Sequence, residues 1–185
     1  EAGILPKDWP LTINAVSGYS GGGKSLIAAF EDEASDKHTT DNFQVYGLTL
    51  DHKHAPEIHK YTGLKHRPLF VPSVGRYAQG MIVQIPLQLW AIPSQPKPSE
   101  IHAVLADYYA GRQFVTVVSL EETSMINRLQ PEALKNTNEL QLHVFGNDAH
   151  GQVVLMGLLD NLGKGASGMA VQNMNIMLGL EEATG

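Results

Sequence analysis

The chain has 185 residues, of which 43% are hydrophobic and 17% charged, so it can bury one core and is neither a disordered tail nor a fibrous repeat. Thirteen Lys and Arg against 19 Asp and Glu give a formal net charge of −6, which argues against nucleic acid as a partner. No apolar run approaches the roughly 20 residues of a membrane-spanning helix, so we expect no membrane partner. Cysteine is absent, which excludes disulfides and thiolate metal ligands within the chain and fits a reducing, cytoplasmic compartment.

The first third of the sequence predicts strands and helices in alternation. Residues 11–17 alternate in polarity, and a glycine-rich loop then leads into an amphipathic helix over residues 25–34. Residues 43–50 predict a strand. Pro56 is typical of a helix start, and Gly63 of a helix end.

The middle of the sequence predicts a long strand over residues 80–90, in which Pro86 indicates a sheet edge or a bulge. Ser99 predicts the N-cap of an amphipathic helix that ends near Gly111, and residues 114–119 form another strand.

The last third predicts a hairpin and a final helix. Two alternating runs, 139–145 and 152–159, flank a turn rich in Asn, Asp and Gly and should pair antiparallel. Residues 165–180 place their apolar side chains at helical intervals. Together these elements predict an α+β domain on a largely antiparallel or mixed sheet.

The segment from Gly18 to Ser25 satisfies the GxxxxGK[ST] pattern of a P-loop, with Lys24 as the phosphate-binding lysine. A P-loop phosphotransferase also needs a parallel sheet and an acidic strand end, for which only Asp160 is a candidate. Two other interpretations stay open: a solvated glycine-rich turn, and a loop that contacts a substrate phosphate without being a Walker motif.

Four of the eight histidines lie between positions 52 and 66. A metal site is not predicted, because no further ligand converges on His52 and His54 by spacing. These histidines could be surface residues. The alternative is catalytic: His54 precedes the helix started by Pro56, where the positive helix end favours a neutral imidazole, the form of a general base, and Glu57 could orient its ring.

Two further segments could bind anions. The irregular stretch 70–80 carries Arg76 and Gln79, and an arginine there can hold a carboxylate or phosphate in a forked contact or lie solvated. Residues 160–168 lead into the last helix, whose N-terminus is either an anion site or simply capped.

Taken together, SGYSGGGK, HKHAPEI, FVPSVGRYAQG and DNLGKGASGMAVQNMNIMLG resemble the second half of N-acetyl-gamma-glutamyl-phosphate reductase in its type 2 form, across nearly the whole chain. The family converts N-acetyl-gamma-glutamyl phosphate to N-acetylglutamate 5-semialdehyde and phosphate with NADPH, in arginine biosynthesis. Its fold is similar to that of glyceraldehyde-3-phosphate dehydrogenase, with a Rossmann domain before the substrate domain.

The resemblance implies a substrate-binding and dimerisation domain over residues 1–163, with helices on one face of the sheet. It implies that residues 164–185 form a helix that packs on a Rossmann domain absent from this chain, which opens on Glu1 instead of Met. We expect at least a homodimer. The cysteine nucleophile should lie upstream, and the fragment should be inactive alone.

The resemblance also assigns roles to individual residues. It implies His54 as the base, Glu57 as its orienter and His52 as the alternate base. The remaining implied residues are substrate-binding Ser17, Ser20, Lys24, Arg76 and Gln79, and Lys164, Gly165, Ala166 and Ser167 near an NADP molecule held mostly by the Rossmann domain. Ser73 and Gln79 depart from the type 1 pattern, which has His and Arg there. The competing functions are a P-loop phosphotransferase and a purely structural oligomerisation module.

Overall fold

A mixed sheet of seven strands, in the order β2-β3-β1-β4-β7-β6-β5, organises the computed structural model, which describes residues 2–184. The strands are β1 (Thr12–Gly18), β2 (Phe43–Val45), β3 (Leu69–Gly75), β4 (Met81–Gln88), β5 (Val115–Val117), β6 (Leu140–Asn147) and β7 (Gln152–Leu159). Only the β1/β3 and β5/β6 pairs are parallel. The α+β prediction with a mixed sheet is therefore confirmed.

Residues 2–184 form five α-helices, of which the first four lie between strands and the last follows β7: α1 (Gly23–Glu31), α2 (His54–Thr62), α3 (Pro98–Tyr108), α4 (Leu120–Ser124) and α5 (Gly168–Leu178). Single 3₁₀ turns occur at Tyr19–Gly22, Leu89–Ala91 and Asp148–His150, and one π turn at Gly163–Ser167 leads into α5. Gly63 ends α2 in the left-handed conformation, as its position predicts. Within residues 2–184, no helix is long and apolar enough to cross a bilayer.

The core lies on one face of the sheet. Ile13 in β1 and Phe70 in β3 are directly paired, and both are buried against the same cluster as Val153 in β7. Helices α2 and α3 cover this face with Ala55 and Ile101. Side chains alternate between the two faces of a strand. The pairing register of the central strands therefore decides which of their side chains face the core.

The opposite face of the sheet is covered less completely. Val16, Val71, Phe145, Val154 and Met156 alternate with the core residues on their strands and are only partly buried. Partly buried apolar side chains spread over a sheet face are typical of a surface that packs against another protein.

The prediction that Pro86 lies at a sheet edge or a bulge was wrong. β4 is a central strand that pairs with β7 over its whole length, including Pro86 opposite Val154. On its other side, however, the ladder with β1 ends at Gln84. At Pro86 the ladder with β1 has already ended, so a missing N–H on that side breaks no pairing with β1.

Two predicted boundaries were also wrong. Only Phe43–Val45 of the segment 43–50 is a strand, because Gly47 and Leu50 adopt positive φ angles of 64° and 60° and turn the chain away. The third helix begins at Pro98, one residue before the predicted cap Ser99, and the Glu100 carboxylate accepts a hydrogen bond from the Lys97 amide at 2.7 Å.

His143 generates a prediction about pH and stability. Its side chain is 2% exposed, and neither ring nitrogen has a hydrogen-bond partner within the described part of the chain. Burial lowers the pKa of His143 below its ordinary value of 6.5, so the folded state favours the neutral ring. The unfolded chain binds this proton more readily, and stability should therefore fall as the pH drops below about 6.5.

The measurement is urea unfolding between pH 8 and pH 5. His143→Leu should remove part of this loss of free energy of unfolding, whereas His66→Gln, at an exposed position, should keep it. Equal pH dependence in His143→Leu and the parent chain would contradict the assignment.

Candidate functional site

A pocket of about 590 Å³ lies where the end of β1, the start of α2 and the turn after β7 converge. Six of the residues proposed for substrate, base or cofactor roles line it: Ser17, Ser20, His52, His54, Gly165 and Ala166. Five polar residues that were assigned no role line it as well: Gln44, Tyr46, Lys53, Ser73 and Asn161. The fold therefore brings residues of all four sequence motifs, which are far apart in the chain, into one concave site.

The glycine-rich loop is bound to the segment 77–80 through its own backbone. The amides of Gly18, Tyr19 and Ser20 donate to carbonyls in that segment at 2.9, 3.0 and 3.2 Å. A Cβ at Gly18 would collide with the carbonyl of Ala78, so glycine is required for this approach. In a P-loop such amides bind phosphate, and β1 would not lie beside an antiparallel strand. The P-loop alternative therefore has no structural support.

Asn161 joins the two segments that form this wall of the pocket. Its side-chain Oδ1 accepts a hydrogen bond from the Gly80 amide at 2.8 Å, and its Nδ2 donates to Ser20 Oγ at 3.0 Å. Ser20 Oγ in turn donates to the Ala78 carbonyl at 2.5 Å. The only sequence signal for this residue was its position beside Asp160 at the end of a predicted strand.

Asp160 is fully buried beneath Asn161. Its carboxylate accepts hydrogen bonds from the amides of Asn136 and Leu162 at 2.6 and 2.9 Å and from Gln79 Nε2 at 3.3 Å. A buried carboxylate needs such donors. Gln79 is therefore engaged by Asp160 and does not line the pocket.

The two histidines of the HKH motif differ in their surroundings. His52 Nδ1 accepts a hydrogen bond from the His54 amide at 3.2 Å, and the His52 ring lies 5.0 Å from the Phe70 ring and 5.7 Å from the Tyr46 ring. Burial, followed by the nearby His54 and Lys53, lowers the pKa of His52.

His54 is the first residue of α2 and is exposed on the pocket rim. Among residues 2–184, its ring nitrogens have no hydrogen-bond partner, and Glu57 makes neither a hydrogen bond nor an ion pair with it. The ring of His54 is thus accessible to a ligand in the pocket.

Arg76 lies outside the pocket lining and fastens neighbouring loops. Its guanidinium donates to the carbonyls of Phe30, Thr39 and Asp41, and it lies 5.0 Å from the centre of the Phe30 ring. Lys24 is exposed and also does not line the pocket.

Lys164 and Ser167 stabilise the turn before α5. Lys164 is 6% exposed, its Nζ donates to Gln172 Oε1 at 2.8 Å, and burial lowers its pKa. Ser167 Oγ donates to the Leu162 carbonyl at 2.8 Å. Neither residue lines the pocket, in contrast to Gly165 and Ala166 between them.

The ionisable groups in the pocket lining include basic side chains and no carboxylates. Its lining includes Lys53, His52 and His54 but no aspartate or glutamate. In the part of the chain that the structure describes, no group of three or more His, Cys, Asp or Glu could hold a metal ion. The site is therefore suited to an anionic ligand bound by N–H and O–H donors.

The fold is that of a domain found in solved aspartate semialdehyde dehydrogenases. Aspartate semialdehyde dehydrogenase II from Vibrio cholerae superposes on 90% of this chain and 54% of its own, with a TM-score of 0.63 and 13% identity. The enzyme from Francisella tularensis superposes on 92% of this chain and 58% of its own, with a TM-score of 0.61 and 14% identity. At these identities the likeness shows the fold alone.

Sequence comparisons show the family to which the chain belongs. The model of the family "Semialdehyde dehydrogenase, dimerisation domain" matches residues 1–161, and the chain belongs to this family. N-acetyl-gamma-glutamyl-phosphate reductases from Brucella ovis and Brucella canis are each 53% identical over 179 residues, which is 97% of this chain and 58% of each relative. The resemblance drawn from the four motifs is thus confirmed, and the chain spans 58% of the length of these relatives.

The contacts of Arg76 generate a prediction. Arg76→Lys should lower the free energy of unfolding by about 1 kcal/mol, because one ammonium group cannot reach the three carbonyls that the guanidinium binds. Urea unfolding measures the change, with Arg128→Lys at an exposed position as control. If the two variants are equally stable, Arg76 does not hold these loops.

Proposed function

We propose that this chain is the substrate-binding and dimerisation domain of an NADPH-dependent reductase that converts N-acetyl-gamma-glutamyl phosphate to its semialdehyde and phosphate. The observation that carries the proposal is the pocket without carboxylates, in which Lys53, His52 and His54 meet the Ser17–Ser20 wall. An acyl phosphate with a free carboxylate is an anion at both ends, which such a lining favours. The printed names of the Brucella relatives support the same substrate.

In this reaction a cysteine thiolate displaces phosphate from the acyl carbon and leaves a thioester. The chain has no cysteine, so we place the nucleophile in the part of the protein outside it and expect the fragment alone to be inactive. His54, whose ring is free at the pocket rim, accepts the thiol proton and returns it to the oxygen that gains charge when the thioester is reduced. NADPH supplies the hydride when bound.

Substrate and cofactor contacts follow from the lining. Ser17 and Ser20 contact the substrate through the wall that Asn161 holds in place. Gly165 and Ala166, which carry no bulky side chains, let the cofactor approach the same pocket. We assign structural functions to Arg76, Gln79, Lys164 and Ser167, because each is occupied by protein partners.

We further propose that α5 packs on an N-terminal cofactor-binding domain. Met174, Ile176, Met177 and Leu178 are 52%, 52%, 85% and 66% exposed, an apolar surface that water does not favour. The relatives are longer than this chain by enough for such a domain, which supports it as the occupant.

The first test replaces the proposed base in the complete protein. His54→Gln should lower kcat by about 10²- to 10⁴-fold, because proton transfer is lost, while the Kd for NADPH changes little. Steady-state kinetics and fluorescence titration of the cofactor measure the two effects. His66→Gln, an exposed histidine outside the pocket, is the control. Near-normal turnover in His54→Gln would refute its assignment.

The second test concerns assembly through the less covered sheet face. We expect light scattering to give a mass of at least twice 20.1 kDa for the chain. Val154→Glu should shift it toward the monomer, because a carboxylate would be buried in an apolar contact. Tyr108→Glu, an exposed change on α3, should leave the mass unchanged. A dimer that tolerates Val154→Glu would place the interface elsewhere.

A further inference from the structure

We propose that His52 is not a second base but a hydrogen-bond donor, whose Nε2–H binds an anionic oxygen of the acyl phosphate. The inference rests on the proposed function, and it assigns different chemistry to the two histidines of the HKH motif. His54 exchanges protons, whereas His52 keeps one proton and uses it to hold charge.

The first argument is the tautomer of His52. A backbone N–H can only donate, so the hydrogen bond from the His54 amide at 3.2 Å requires Nδ1 of His52 to be an acceptor. In the neutral ring the proton then lies on Nε2. No protein acceptor binds Nε2 within residues 2–184, so this N–H is available to a ligand.

The second argument is that nothing near His52 stabilises an imidazolium. The titratable groups that face its ring are Tyr46, Lys53 and His54, none of which carries negative charge at neutral pH. Asp51, the neighbouring carboxylate in sequence, is exposed and paired with Arg67 at 2.9 Å. His52 therefore stays neutral under conditions in which a histidine beside a carboxylate would be protonated.

The third argument is the fixed orientation of the ring. His52 lies between Phe70, at 5.0 Å, and His54, at 4.8 Å, while its Nδ1 is tied to the start of α2. A donor held in this way need not reorganise when charge develops on the substrate, which is how oxyanion-binding groups accelerate acyl transfer. The exposed and unpaired ring of His54 has no such constraint.

The experiment uses the complete protein, including its N-terminal part. His52→Leu should lower kcat/KM by about 10²-fold, the usual effect of losing one such donor, and His52→Gln should recover part of it because its amide N–H also donates. The acidic limb of the kcat/KM profile, which reports the base, should persist in both variants and disappear in His54→Gln. His66→Leu is the matched control.

A loss of the acidic limb in His52→Leu, or wild-type kinetics in that variant, would overturn the proposal. The reverse reaction distinguishes the oxygen that is bound: a raised KM for inorganic phosphate indicates a phosphoryl oxygen, and a lowered kcat with unchanged KM for phosphate indicates the acyl oxygen, which becomes anionic when the acyl carbon is attacked. Both outcomes support a donor. A raised KM for the semialdehyde alone contradicts it.

The tautomer itself can be measured without catalysis. In the complete protein labelled with ¹⁵N-histidine, the His52 signals should show a protonated Nε2 and an unprotonated Nδ1, and a proton on Nδ1 would overturn the proposal. If the wild-type protein lacks reductase activity, the proposed function fails together with the ligand assigned to His52. If it is active and only the His52 results disagree, this inference alone fails.

Discussion

The turn after β7 is the constraint on which the pocket depends. Asp160 is fully buried and gathers two backbone amides and the Gln79 side chain, while Asn161 links the Gly80 amide to Ser20. Three of these hydrogen bonds, Gln79 to Asp160, Gly80 to Asn161 and Asn161 to Ser20, connect residues more than 80 positions apart in sequence. Without them, the glycine-rich loop would not be held in place as a wall of the pocket.

The same wall explains why this loop is not a nucleotide site despite its sequence. The amides of Gly18, Tyr19 and Ser20 in this loop donate to the segment 77–80. Positive charge in the pocket comes instead from Lys53, beside the two histidines at the start of α2. The site therefore combines a rigid neutral wall with a cationic rim, and carboxylates such as Asp160 are kept below its surface.

Local patterns predicted the elements well where one interaction dominates. The hairpin of β6 and β7, the glycine end of α2 and the final helix follow from turn chemistry and side-chain periodicity. Pro86 and Ser99 were misplaced, because strand order and helix caps depend on neighbours that a local pattern does not contain. Arg76 resembled an anion-binding residue, since the sequence could not show that three carbonyls already bind its guanidinium.

The sequence by itself determined the mixed α+β class, the family through four ordered motifs, and His52, His54, Ser17 and Ser20 as candidates. These conclusions were possible because the periodicity of apolar residues, the positions of glycines and the order of motifs can be read directly from the sequence. Only the tertiary structure decided which candidates share a pocket, added Lys53 and Asn161 to it, and gave His52 and His54 different exposure and hydrogen bonding. The physical reason is that these properties depend on hydrogen-bond partners and burial, which arise only when distant segments pack together.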